Sequence, residues 1–83
     1  MSWQHFIWTD EDVVHLAEHD VTPEEFEYVV RYPDEHSFSH SSGLPCVFGY
    51  TPDGRYIIAV FEEIDEGTIH PVTAFEVPER RRK

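Results

Sequence analysis

Residues 15–25, with the sequence HLAEHDVTPEE, form the joint between two predicted short helices and decide how the chain folds. Thr22 fits the N-cap of the second helix, and Pro23 fits its first position, where proline loses no hydrogen bond. Glu25 stands three residues after Thr22, which is the spacing of a capping box. This stretch therefore predicts a helix end, a tight joint and a new helix start within eleven residues.

The residues around this joint have the pattern of two amphipathic helices. Val21 and Phe26 fit a hydrophobic staple, which fixes the angle at which the chain enters the second helix, expected over residues 23–31. Thr9 and Asp12 fit a second capping box at the start of the first helix. Apolar residues recur at helical spacing in both helices, as Val13, Leu16 and Ala17 in the first and Phe26, Val29 and Val30 in the second.

The rest of the chain has the composition of strands and turns. Residues 3–8 fit a short edge strand, and residues 36–40 fit either a strand or a loop. Further strands are expected at 46–51, 55–62 and 68–77, with Gly-containing turns between them. Pro71 implies a bulge or an edge position in the last strand. This order predicts an α+β domain with two short N-terminal helices packed on one face of a three- to four-stranded antiparallel sheet.

The length and charge of the chain limit what it can do. A chain of 83 residues predicts one domain, assigned to residues 1–79, followed by a basic tail at 80–83. Residues 1–79 contain all seventeen acidic residues and only two arginines, a formal charge of −15. Such a charge repels phosphate backbones, so RNA is disfavoured as a partner, and it favours basic proteins.

The location and cofactor content are also predicted from composition. No apolar run approaches the roughly 20 residues of a membrane span, and no secretory signal pattern is present, so we expect no membrane partner. Cys46 is the single cysteine and cannot form an internal disulfide, which favours a cytoplasmic setting. We predict no metal and no cofactor. The sequence does not indicate an oligomeric state.

Histidine and arginine residues are the candidates for chemistry. His15, Glu18 and His19 match the spacing of an inverted zinc-protease motif, but an exposed polar helix flank fits them better, followed by a metal-free functional histidine. Six histidines are many for this length, and imidazole is the side chain most often used for proton transfer. Arg55 follows a glycine turn, where it could bind a phosphate bidentately or pair with an acid on a neighbouring strand.

Several short motifs, taken in order, match a known family. They are Trp8, Glu18-His19-Asp20-Val21, Thr22-Pro23-Glu24-Glu25, residues 49–61 around Asp53-Gly54-Arg55, residues 69–75, and Glu79-Arg80. Over nearly the whole chain this order resembles the BrnT-type toxin family, within the wider RelE-like ribonuclease fold. The resemblance implies a small bacterial toxin that cleaves RNA without a metal and is neutralised by an antitoxin.

The resemblance also implies site residues. Family members of this type use basic and histidine side chains to activate the 2′-hydroxyl, stabilise the phosphorane and protonate the leaving oxygen. His19 and Arg55 match the family pattern, whereas Glu18, His70 and Phe75 stand where the family has basic residues. The ribonuclease hypothesis accordingly places His19 and His70 as the acid–base pair and Arg55 on the phosphate.

The acidic charge favours a different class of function. In this second hypothesis the chain is a non-catalytic protein-binding module that keeps the toxin-like fold and docks a basic protein segment. A metal-dependent hydrolase using the first helix is a third hypothesis. Convergence of His19, Arg55 and His70 on one point would favour the enzyme, and a continuous acidic or apolar groove would favour the binding module.

Overall fold

The computed structural model of the protein describes residues 5–39 and 43–78. The order of elements is β1 (His5–Phe6), α1 (Asp10–Ala17), α2 (Pro23–Arg31), β2 (Glu35–Phe38), β3 (Pro45–Tyr50), β4 (Tyr56–Asp65) and β5 (Thr68–Glu76). The strands form one sheet in the order β1-β5-β4-β3-β2. The predicted α+β class is confirmed. Neither described helix has the length and apolar character needed to cross a membrane.

The sheet differs from the prediction in its number of strands and in one strand direction. It has five strands, and β1 runs parallel to β5 through the pairs His5↔Thr68 and Phe6↔Ile69, so the expected three- to four-stranded antiparallel sheet is wrong. β2, β3, β4 and β5 pair antiparallel in sequence. β1 has two residues and is too short to show an alternating pattern. Its partner strand and its direction are therefore set by the tertiary fold and not by its own sequence.

Both predicted capping boxes are present. The Thr9 side chain accepts a hydrogen bond from the Asp12 N–H at 3.1 Å, and the Thr9 N–H donates to the Asp12 carboxylate at 3.3 Å. The equivalent bonds between Thr22 and Glu25 are 3.1 and 3.0 Å long. Each box satisfies two helix N-terminal donors that would otherwise lack a partner.

The joint between the helices closes with a left-handed residue. Asp20 has a φ of 62°, and the Asp20 N–H donates to the Ala17 carbonyl at 3.0 Å. The Val21 N–H reaches back to the Leu16 carbonyl at 3.0 Å, which completes a Schellman motif. Leu16 and Val21 are both buried, so this turn also starts the hydrophobic core.

Asp20→Gly is expected to stabilise the domain by about 1 kcal/mol, because only glycine adopts this left-handed conformation without a steric cost. The measurement is the free energy of unfolding from urea denaturation. Asp10→Gly is a suitable control, since Asp10 begins α1 with ordinary helical geometry and its replacement should destabilise the helix. Equal destabilisation by both substitutions would contradict the prediction.

A single core lies between the helices and the sheet. Leu16 from α1 and Phe26 and Val29 from α2 are buried together with apolar residues of the sheet, which are Val47, Ile57, Ala59, Phe61, Ile69 and Ala74. Trp8 packs edge-on against Phe26 with ring centroids 5.5 Å apart. α2 packs on β3 and β4, whereas α1 packs on β5. The core therefore holds α1 beside the strand that carries His70.

Pro71 produces the bulge predicted for the last strand. Val60 pairs with Thr73 but the next residue, Phe61, pairs with Pro71, so Val72 is an extra residue in β5. On a regular strand His70 and Thr73 would point to opposite faces, because they are three residues apart. The extra residue brings both side chains to the same face as Val60 and Glu62.

Candidate functional site

A row of polar side chains joins α1 to β5. Asp12 faces His70, whose Nε2 lies 2.9 Å from the Asp12 Oδ2. The other ring nitrogen of His70, Nδ1, lies 3.5 Å from a Glu62 carboxylate oxygen. Each ring nitrogen of His70 thus faces a carboxylate oxygen. His70 is therefore held between two acids.

The row continues along the same helix towards the joint. The His15 Nε2 lies 3.0 Å from the Thr73 hydroxyl. The rings of His15 and His19 have centroids 5.3 Å apart, and the His19 ring lies 6.1 Å from that of Phe75. Asp12 and His15, three residues apart, lie on one side of α1, and His19 follows in the turn after the end of the helix.

Arg55 is held at the start of the second helix. Its Nη2 donates to the Glu25 carboxylate at 2.8 Å, and its Nε lies 3.4 Å from an Asp53 carboxylate oxygen. The hydrogen bond to Glu25 raises the pKa of Arg55. Of the two alternatives predicted for Arg55, the structure shows pairing with an acid. The acid at 2.8 Å comes from α2, however, and not from a neighbouring strand.

Local hydrogen bonds stabilise the turn before Arg55. The Thr51 hydroxyl donates to the Asp53 carboxylate, and the Arg55 N–H donates to the Thr51 hydroxyl oxygen at 3.0 Å. The hydrogen bond from Thr51, assisted by the positive charge of Arg55, lowers the pKa of Asp53. Arg55 is thus anchored through its backbone as well as its guanidinium.

The lowered pKa predicts the effect of Asp53→Asn on acid stability. A carboxyl with a lowered pKa in the folded state stabilises the protein above its ordinary pKa, 3.8, and loses that contribution as pH falls through the folded value. Asp53→Asn should therefore lower the melting temperature at neutral pH and have a smaller effect near about pH 3. Thermal melts of both proteins across this range test it, and a constant difference at every pH would contradict it.

The three predicted catalytic residues have different neighbours. His70 contacts Asp12 and Glu62, His19 lies beside His15 and Phe75, and Arg55 is bound by Glu25 and Asp53. Among residues 5–39 and 43–78, the contacts described here join none of the three to another.

The arginines of the described chain are both paired with carboxylates. Arg31 lies 3.5 Å from Glu27, one helical turn away, and 5.1 Å above the ring of Phe6. Arg55 has the two acidic partners given above. Arg31 and Arg55 are the only arginine or lysine residues of the sequence outside the tail at 80–83. The tail and His40 lie outside the described residues.

Metal-ligand and thiol chemistry have no support among the described residues. Within 5–39 and 43–78, no group of three or more histidine, cysteine, aspartate or glutamate side chains is arranged to hold a metal ion. Cys46 is a buried free thiol, and burial raises its pKa. A buried thiol with a raised pKa behaves as a small apolar residue and not as a nucleophile.

Sequence reasoning missed three members of the row, Asp12, Glu62 and Thr73. Asp12 was assigned only to the capping box, although its spacing to His15 places the two residues on the same helix face. Glu62 and Thr73 join the row through the pairing of β4 with β5, which no local pattern reports.

Comparison of the chain with protein-family models, with curated proteins and with solved structures gave no match.

Proposed function

We propose that this domain is a non-catalytic, toxin-related binding module whose partner is a basic segment of another protein. The observation that carries the proposal is that Arg31 and Arg55 are both paired with carboxylates, while the body of the chain has a formal charge of −15. An RNA phosphate approaching Arg55 would meet Glu25 and Asp53 first. A lysine or arginine side chain would instead find carboxylates.

The distribution of acids supports a protein partner. Many of the carboxylates are exposed, and they lie in α1, in both helix first turns and at the end of β4. The electrostatic potential of a negatively charged surface speeds the association of positively charged partners and disfavours negatively charged ones. The buried free thiol of Cys46 agrees with a reducing compartment, and we place the protein in the cytoplasm.

The test compares a basic peptide with RNA as ligands. A fluorescent lysine- and leucine-containing peptide and a labelled single-stranded RNA are titrated with the full chain, and binding is followed by fluorescence anisotropy. We expect the peptide to bind, with an affinity that falls as salt is added because the attraction is partly screened. RNA should not bind at any salt concentration. Tight RNA binding with no peptide binding would end the proposal.

A metal-independent ribonuclease is the second candidate, favoured by the position of His15 and His19. Both residues are exposed, their rings lie 5.3 Å apart, and the ring of Phe75 is beside them. Two adjacent imidazoles can act as acid and base in the cleavage of RNA. This candidate needs His19 and His70 for the proton transfers and Arg55 on the phosphate, although the described contacts bring none of these three residues together. An antitoxin would cover the site.

Expression in a bacterial host separates the two candidates. The native chain, a His19→Ala/Arg55→Ala variant and an Arg31→Ala control are induced, and growth and total RNA are followed. Growth arrest with RNA cleavage that only the double variant relieves would establish the ribonuclease. Normal growth with intact RNA would reject it, provided that circular dichroism of each purified protein shows the folded state.

A further inference from the structure

The outer side of α1 exposes apolar side chains that the core does not use. The side chain of Leu16 is buried, but Val14 is 58% exposed and Val13 is 36% exposed. Ala17, one helical turn after Val13, is exposed as well. Leu16 is thus the one buried residue of this eight-residue helix, and its other apolar side chains are exposed to solvent.

Two shallow grooves lie along the two sides of this helix. One is lined by Asp10, Glu11, Val14 and Glu18, among others, and has a volume of about 400 Å³. The other lies between α1 and the start of α2, is also about 400 Å³, and is lined by Val13, Ala17 and Pro23 with Asp20 and Glu25 at its rim. Val13 and Val14 form the ridge between the grooves.

Carboxylates surround the apolar ridge. Asp10, Glu11, Glu18 and Asp20 are exposed, and none of them is paired with Arg31 or Arg55, the arginines of the described chain. An apolar centre with a charged rim is the usual anatomy of a protein-binding surface. Because the rim has one sign, it selects the charge of the partner.

We propose that this surface, the α1 outer face formed by Asp10, Glu11, Val13, Val14, Ala17, Glu18 and Asp20, docks an amphipathic basic segment of a partner protein. The inference rests on the proposed function and adds the location of the site and the pattern that the partner must have. Apolar side chains of the partner enter the two grooves on either side of Val13 and Val14. Its lysine or arginine side chains reach the carboxylates of the rim.

Charge complementarity favours this occupant over a second copy of the chain. Self-association through the described residues would bring one acidic rim against another acidic surface, since both arginines among them already have carboxylate partners. Like charges placed opposite one another oppose association. A basic amphipathic segment meets no such repulsion, and its apolar side supplies the burial that a purely basic segment lacks.

The experiment uses two peptides of identical composition and the full-length protein. One peptide of leucine and lysine has its leucines at helical spacing, and the other has the same residues scrambled. Binding of each is measured by fluorescence anisotropy. We expect the patterned peptide to bind at least about tenfold more tightly than the scrambled one, since only the patterned peptide can bury its leucines in both grooves.

Matched variants locate the site. Val14→Asp is expected to weaken binding of the patterned peptide at least about tenfold, whereas Ile64→Asp, at an apolar position 53% exposed at the end of β4, should leave it unchanged. Glu18→Lys and Glu63→Lys alter the net charge equally, and only Glu18→Lys should weaken binding. The second pair keeps the test valid if Val14→Asp unfolds α1.

The outcomes distinguish this inference from the proposed function. If the patterned peptide binds but the α1 variants behave like their controls, the α1 outer face is not the site and the binding function stands. If both peptides bind equally, the requirement for an amphipathic partner is wrong. If neither binds, the proposed function fails with it. If analytical ultracentrifugation shows a dimer of the native protein and a monomer of the Val14→Asp variant, the surface binds a second copy of the chain instead.

Discussion

Replacing Phe26 with alanine is expected to lower the free energy of unfolding by about 3–5 kcal/mol. The Phe26 side chain is fully buried, and its ring contacts Trp8 edge-on at 5.5 Å and Phe6 at 6.5 Å between centroids. Its removal leaves a cavity and takes away the ring that both Trp8 and Phe6 contact. A small domain has only about 5–15 kcal/mol of stability, so this loss should bring the variant close to unfolding.

Urea denaturation followed by circular dichroism measures the effect, and Tyr28→Ala is its matched control. Tyr28 lies two residues later on the same helix and is 40% exposed. Exposed positions usually change stability by less than about 0.5 kcal/mol, although the ring contact of Tyr28 with Tyr32 adds a little to that. Comparable losses for the two variants would show that Phe26 is not the centre of the core.

Glu25→Ala is expected to lower the free energy of unfolding by about 1–2 kcal/mol, the second-largest loss. One oxygen of Glu25, Oε1, accepts hydrogen bonds from the Thr22 N–H at 3.0 Å and from Arg55 at 2.8 Å. The substitution removes the hydrogen bond from the Thr22 N–H to the Glu25 carboxylate, which is one of the two bonds of the capping box. It also leaves Asp53 as the one carboxylate partner described for Arg55. Both partners are partly exposed, which keeps the ion-pair share of the loss small.

Glu24→Ala controls for charge and position, because Glu24 is an exposed acid in the same helical turn. A double-mutant cycle with Arg55→Ala isolates the pair. If Glu25 and Arg55 act together, the double variant loses less stability than the sum of the single variants. Additive losses would mean that the contact contributes nothing, and Arg55 would then again be available for a phosphate.

The result of this cycle bears directly on function. Arg55 was the strongest candidate for phosphate binding, and its contacts give it a structural role in holding the β3–β4 turn against α2. Loss of toxicity in an Arg55 variant would therefore need a stability measurement before it could be read as loss of catalysis. His19 is the cleaner probe, because its ring lies on an exposed flank.

The amino-acid sequence alone determined the local structure. Both capping boxes, the burial of Val21 and Phe26 around the joint, and the bulge at Pro71 follow from interactions between residues close together in the chain. Such interactions depend on spacing and residue type, so they can be read before any tertiary contact is known. The α+β class followed from the order of these elements.

Only the tertiary structure decided which distant residues meet. The parallel pairing of β1 with β5, the capture of His70 between Asp12 and Glu62, and the pairing of Arg55 with Glu25 all join residues brought together by the complete fold. A sequence containing seventeen acids offers many equivalent partners for one arginine, and local spacing does not choose among them. The same holds for Val14, whose exposure is decided by which side of α1 the sheet covers.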